Sequence, residues 1–144
     1  MRYRLVAAIL LFLIACVVQF SLASAGISID LVLAALIAFA FFFSFLEVLV
    51  FVLCGVFLMN WQPGFSFEML IFAALPLAAF FFHRAFAWAP WAGIPVMTVC
   101  GFAAFYALIA PSLFVIDPAK IVLDVVGSLI FGEITLAALN RAER

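Results

Sequence analysis

The few side chains that could do chemistry in this sequence lie mostly inside apolar segments. Asp124 and Glu133 are acidic residues within the last apolar segment, Ser128 lies between them, and Gln19 lies late in the first segment. Polar and ionisable groups inside a membrane are costly and often mark a functional site. These four residues are therefore the intramembrane polar candidates for a site.

Helical spacing places a polar and small-residue face along the last segment. That face consists of Asp124, Gly127, Ser128, Phe131, Gly132 and Thr135, and its glycines allow close helix contact. Lys120 and Asp124 are spaced i, i+4, which predicts an ion pair. Glu133 is offset from the face, and we expect Gln19 or Tyr106 to be its partner. The face favours interhelical hydrogen bonding; the alternative is the lining of a substrate cavity or partner groove.

Motifs for catalysis and for cofactor binding are missing from the sequence. It has no nucleophile elbow, zinc motif, phosphate loop or paired carboxylates. His83 is the single histidine, and Cys16, Cys54 and Cys100 form no C-x-x-C pair and are expected to pack as small residues. The net charge of −1 says nothing about nucleic acid, but no basic stretch supports such a partner, and we expect none. We expect no enzyme, metal or cofactor.

The composition predicts an all-α integral membrane protein with lipid as its surroundings. Of 144 residues, 72% are hydrophobic and 9% are charged, against about 25% charged in a soluble domain. The apolar runs are continuous rather than alternating, so helices are favoured over a β-barrel. They fill nearly the whole chain, which predicts a single polytopic membrane domain over residues 1–144.

The longest apolar run, residues 26–61, decides the topology. As one helix it would be about 54 Å long, whereas the hydrocarbon core is about 30 Å thick. Ser44 and Glu47 have the spacing of a capping box, in which the Ser oxygen accepts the N3 amide and Glu accepts the N-cap amide. We therefore expect a turn at Ser44 and two short spans.

Six spans follow from the apolar runs and their start signals. Asp117 before Pro118 predicts a helix start, and Ser28 is the expected N-cap of the second span, with Asp30 in its first turn. The first span resembles a secretory signal, with Ala23-Ser24-Ala25 as a cleavage site, but its length favours retention. The predicted spans are 5–22, 26–43, 44–61, 67–84, 91–110 and 118–140.

The basic residues favour both termini on the cytoplasmic side. With six spans, five of the six basic residues lie inside and Lys120 lies outside, as the positive-inside rule requires. Treating residues 26–61 as one span would instead divide the basic residues equally between the two sides.

The order of these parts resembles the rod shape-determining MreD family, small membrane proteins of six spans with minimal loops. The matching parts are Gln19 late in span one, Asp30-Leu31 opening span two, two closely spaced short spans, Gly55 in the second of them, and the turn at Pro63-Gly64. The chain departs from the family pattern at three positions: Ile29 stands where Pro is common, Glu47 is the one charge in the second turn, and Asn60 closes span three.

This resemblance implies a bacterial inner-membrane protein that serves as a non-enzymatic scaffold of the cell-wall elongation machinery. Its expected partners are an MreC-like single-pass protein and other membrane proteins of that complex. The MreD family is similar in fold to the substrate-binding subunits of energy-coupling-factor transporters. The alternative function is therefore a small-solute, vitamin-type binding subunit of a membrane transporter.

Overall fold

The computed structural model describes residues 2–27, 29–59 and 66–142. Within these ranges the chain forms helices and no strand, so the prediction of an all-helical chain is confirmed for this part. In chain order the helices are α1 (Arg2–Ser24), α2 (Leu31–Phe39), α3 (Phe45–Met59), α4 (Phe67–Phe86), α5 (Pro90–Ile109), α6 (Leu113–Ile116) and α7 (Pro118–Arg141).

Among the described residues, four helices are long and apolar enough to cross a membrane. They are α1, α4, α5 and α7, of which α1 qualifies over Tyr3–Ser24. Helix α3, with 15 residues, is a shorter apolar helix. The chain is therefore consistent with an α-helical membrane protein.

Helix α2 differs from the span predicted over residues 26–43. It has nine residues and is about 13.5 Å long, less than half the thickness of the hydrocarbon core. The chain leaves it through tight i→i−3 bonds, from the amide of Phe41 to the carbonyl of Ala38 and from Phe42 to Phe39. Ser28, the expected N-cap, lies outside the described residues, and Asp30 is the N-cap of this helix.

The position of α2 explains why so short a helix is stable. Every residue of α2 is buried, and the helix packs against α1, α3, α4, α5 and α7. Its sequence, LVLAALIAF, has no polar side chain, and a helix that is apolar on all sides belongs in an interior. Helix α2 is thus the centre of the core, and the longer helices surround it.

Residues 26–61 do not form one continuous helix, because α2 ends at Phe39 and α3 begins at Phe45. The backbone amide of Ser44 donates to Oε2 of Glu47 at 2.9 Å, the second half of a capping box. The hydroxyl of Ser44 donates to the same oxygen at 2.7 Å, whereas the sequence predicts that it accepts an amide. Glu47 therefore accepts both bonds of this turn.

Helix α7 begins after the cap that the Asp-Pro pair predicts. Oδ1 of Asp117 accepts the amide of Lys120 at 3.2 Å, and Pro118 occupies the first turn. The four-residue helix α6 precedes this cap and has no counterpart in the predicted spans. Helix α7 packs closely on its neighbours where its glycines lie, since a Cβ at Gly127 would come within 3.0 Å of Ile29.

The bundle has two distinct ends. At the end that holds the Ser44 turn, the ring of Phe41 lies 4.5 Å from that of His83 and fills the space beside Gly93. Arg84 also lies at this end, with its guanidinium 4.7 Å from the ring centre of Phe80. The opposite end, named here the Asp30 end, holds the start of α2 and the polar cluster described next.

Candidate functional site

A buried polar cluster at the Asp30 end centres on the carboxylate of Asp124, which is 3% exposed. Oδ1 of Asp124 accepts the backbone amide of Asp30 at 2.7 Å, and the hydroxyl of Tyr106 donates to Oδ2. The hydroxyl of Ser128 lies 3.3 Å from Oδ1 and 3.4 Å from the carbonyl oxygen of Asp30. One carboxylate therefore links α7 to α5 and to the N-terminal end of α2.

Side chains from two places satisfy the first amides of α2. Oε1 of Gln19 accepts the amide of Val32 at 2.9 Å, and Oδ1 of Asp30 accepts the amide of Leu33 at 3.2 Å. The first amides of a helix lack intrahelical partners, and lipid cannot supply them. Gln19 and Asp30 thus supply acceptors for two amides that have no partner within α2.

Several partners expected from the sequence differ from those in the structure. Asp124 is bonded to Asp30, Tyr106 and Ser128 rather than to Lys120, the partner that their i, i+4 spacing predicts. Tyr106 and Gln19, the expected partners of Glu133, belong to this cluster instead. Spacing along one helix could not show that α2 and α5 supply the donors.

Two cavities border the cluster and share Gln19, Asp30 and Phe105 as lining residues. The first has a volume of about 280 Å³. The second, of about 240 Å³, reaches Tyr106 and Asp124. The first cavity is additionally lined by Val56, Met59, Ser66, Glu68, Met69 and Phe72. Both cavities therefore place polar groups beside aromatic or thioether side chains, a combination typical of small-ligand sites.

Glu133 lies apart from the cluster, on the surface of the bundle. It is exposed and lies in a groove between α5 and α7 of about 570 Å³. The other lining residues are apolar: Pro95, Leu129, Ile130, Ile134 and Ala137. Its carboxylate forms no hydrogen bond or ion pair with any residue in the described part of the chain. The expectation of an interior partner for Glu133 is wrong.

Asp30 and Tyr106 are central to the cluster, although the sequence assigns Asp30 only a role at a helix start. The sequence does contain a sign of the role of Asp30, because this residue directly precedes the nine apolar residues of α2.

The remaining predicted positions, Ser44, Glu47 and Asp117, lie in the turn and cap described above. In residues 2–27, 29–59 and 66–142, no three His, Cys, Asp or Glu side chains are grouped as metal ligands.

Comparison of the chain with family models, with curated proteins and with solved structures found no match.

Proposed function

We propose that this chain is a non-enzymatic scaffold in the bacterial inner membrane that belongs to the cell-wall elongation machinery and holds an MreC-like single-pass protein. The observation that carries the proposal is the fully buried helix α2. A transporter needs an interior that can open, whereas the centre of this bundle is a helix held by side chains of α1 and α7. A closely packed interior with an apolar perimeter suits a protein that acts by binding other membrane segments.

The proposed topology has six spans with both termini on the cytoplasmic side. In this arrangement the Ser44 end faces the cytoplasm and the Asp30 end faces outward. The contacts of Arg84 and His83 at the Ser44 end support it, since basic residues favour the cytoplasmic side. In this topology the chain crosses once through α2 and the irregular backbone on either side of it, and once through α3; irregular backbone at membrane depth is tolerated where it is buried in protein, as α2 is here.

Cysteine labelling tests this topology. Cys16, Cys54 and Cys100 are first replaced by Ala, and single cysteines are then introduced at Ser44 or Ser112, both exposed in the structure. A membrane-impermeant maleimide is expected to label position 44 only in inside-out vesicles and position 112 only in intact spheroplasts. Labelling of both positions from the same side would contradict the six-span topology.

Depletion in a rod-shaped host that carries this gene tests the function. We expect the cells to become round as the protein is lost, because wall insertion along the cell length would lose its scaffold. A plasmid copy of the wild-type gene is the control and should restore rods. Normal cell shape and normal wall insertion after complete depletion would contradict the proposed function.

The two cavities support a second candidate function, the binding of a small, vitamin-type solute at the Asp30 end. Purified protein would then carry a small molecule that is lost when Phe105, shared by both cavities, is replaced by Trp to fill them. Untargeted mass spectrometry of extracts from wild-type and Phe105→Trp protein measures this. Identical extracts from the two proteins would exclude a solute in these cavities.

A further inference from the structure

In the six-span topology proposed above, Glu133 in the groove between α5 and α7 lies at a depth where lipid offers no hydrogen-bond partner. Glu133 precedes the last residue of α7, Arg141, by about 12 Å along the helix axis and follows Pro118 by about 22 Å. The hydrocarbon core is about 30 Å thick, so both distances place this carboxylate within it. Its neighbours in the groove are the aliphatic residues Ile130 and Ile134.

A carboxylate at this depth requires a donor, because an intramembrane charge is costly unless it is paired. No described residue of this chain supplies one. The basic residues Arg84, Lys120 and Arg141 lie at the ends of α4 and α7. A second molecule seated in the groove is a source of the donor that the described part of the chain does not supply.

A second copy of this chain does not fit this requirement. A two-fold contact centred on this groove places the same patch of each subunit against the other, so that the two Glu133 carboxylates would lie close together in an apolar setting. Two carboxylates that share such a site repel each other unless one is protonated. Charge complementarity favours a different protein with a cation at this depth.

We propose that the α5–α7 groove binds a single transmembrane helix of another protein, and that a Lys or Arg of that helix pairs with Glu133. Ala137 is the small side chain of the groove and would let the partner backbone approach closely there. The inference rests on the proposed scaffold function, because it assigns the surface at which that scaffold holds its single-pass partner.

Photocrosslinking in the native host tests the location of the contact. A photoreactive amino acid replaces Ile134, which is 52% exposed in the groove, or Leu13, which is 51% exposed on α1 and serves as the matched control. The expected result is one discrete adduct at position 134, with a single-pass protein, and none at position 13. An adduct of twice the mass of this chain, or adducts with lipid alone, would overturn the proposal.

The Glu133→Gln variant tests the chemistry of the contact. It keeps the shape of the side chain but removes the charge, and Glu68→Gln, which alters an exposed glutamate at the Asp30 end, is its control. We expect Glu133→Gln to lower the adduct yield at position 134 about tenfold, the factor for a loss of roughly 1.4 kcal/mol. An unchanged yield would exclude a cationic partner residue.

Charge reversal then identifies the partner residue. Sequencing of the adduct should find a Lys or Arg within the crosslinked membrane segment. Exchanging it for Glu should abolish the adduct with wild-type protein and restore it with Glu133→Lys. A segment with neither Lys nor Arg, or no restoration in the exchanged pair, would contradict the inference.

Failure of this inference is distinguishable from failure of the scaffold function. If depletion rounds the cells but the single-pass partner is captured at position 13, the scaffold function stands and the groove is the wrong surface. If the adduct at position 134 depends on Glu133 but depletion leaves rods, the groove is correct and the role in cell shape is wrong.

Discussion

Asp124 and Glu133 are two carboxylates of the same helix in opposite surroundings. They lie about two and a half turns apart on α7, which places them on opposite faces. Asp124 is 3% exposed and accepts hydrogen bonds from Asp30, Tyr106 and Ser128. Glu133 is exposed in an apolar groove, without a bond to any residue that the structure describes.

The comparison shows two ways in which a membrane helix can carry a charge. A buried carboxylate is tolerable when the fold supplies its donors. Asp124, in turn, accepts the amide of Asp30 and so holds the N-terminal end of α2 in place. The carboxylate of Glu133 on the perimeter has no such donor among the described residues, and the role proposed for it is the binding of a partner. Substitutions at the two positions should therefore have separate effects on stability and on binding.

The largest expected effect is loss of stability in Asp124→Leu. The substitution leaves the amide of Asp30 and the hydroxyl of Tyr106 without their acceptor. We expect a loss of about 2–6 kcal/mol in the free energy of unfolding, since each of the two stranded donors costs roughly 1–3 kcal/mol. Unfolding in mixed micelles with increasing SDS measures it. Asp124→Asn, which keeps one acceptor oxygen, is the control and should lose less; equal losses would contradict the role of the acceptors.

Gln19→Leu should have the next largest effect, because it removes the acceptor of the Val32 amide at the start of α2. The expected loss is about 1–3 kcal/mol, measured by the same unfolding titration. Ser21→Ala is the matched control on α1, since the hydroxyl of Ser21 is exposed and bonds to its own helix. Equal stability of Gln19→Leu and Ser21→Ala would show that α2 does not depend on this side chain.

Glu47 extends the comparison to a half-buried carboxylate in the exposed turn at the end of the bundle. Glu47→Ala removes the acceptor of both Ser44 donors, but the turn is exposed and water can replace it. We expect a loss of about 0.5–1 kcal/mol, the lower part of the range for loss of a helix cap. A loss as large as that of Asp124→Leu would mean that the turn is buried, contrary to its exposure here.

Glu133→Leu should have the smallest effect on stability, within about 0.5 kcal/mol of wild type, as for surface substitutions elsewhere. The same variant should lose the adduct at position 134 that the groove is expected to give. A variant that loses stability and keeps the adduct would reverse the roles assigned to the two carboxylates.

The sequence predicts much of the order and extent of the helices, but it does not predict that α2 is short. The apolar runs and local start signals such as Asp117-Pro118 depend on neighbours in the chain, and spacing along the sequence shows them. The shortness of α2 depends on Gln19 and Asp124, which come from other helices and satisfy its first turn. A contact between residues as distant in sequence as Asp30 and Asp124 leaves no periodic signal.

The prediction that Glu133 pairs with a group inside the bundle is wrong for a related reason. The expectation of Gln19 or Tyr106 assumed that an intramembrane carboxylate faces inward. The helical offset between Asp124 and Glu133 is visible in the sequence and already indicates opposite faces. The sequence could not show which of the two faces packs against α2.

Oxygen accessibility of a spin label at position 133 tests the separation of the two faces most directly. In a cysteine-free background, nitroxides are attached at Glu133→Cys and at Leu136→Cys, which is 7% exposed in the core, and the protein is reconstituted alone in nanodiscs. We predict high accessibility to oxygen and low accessibility to a water-soluble nickel complex at 133, and low accessibility to both at 136. Low oxygen accessibility at 133, equal to that at 136, would contradict the account by placing Glu133 inside the bundle.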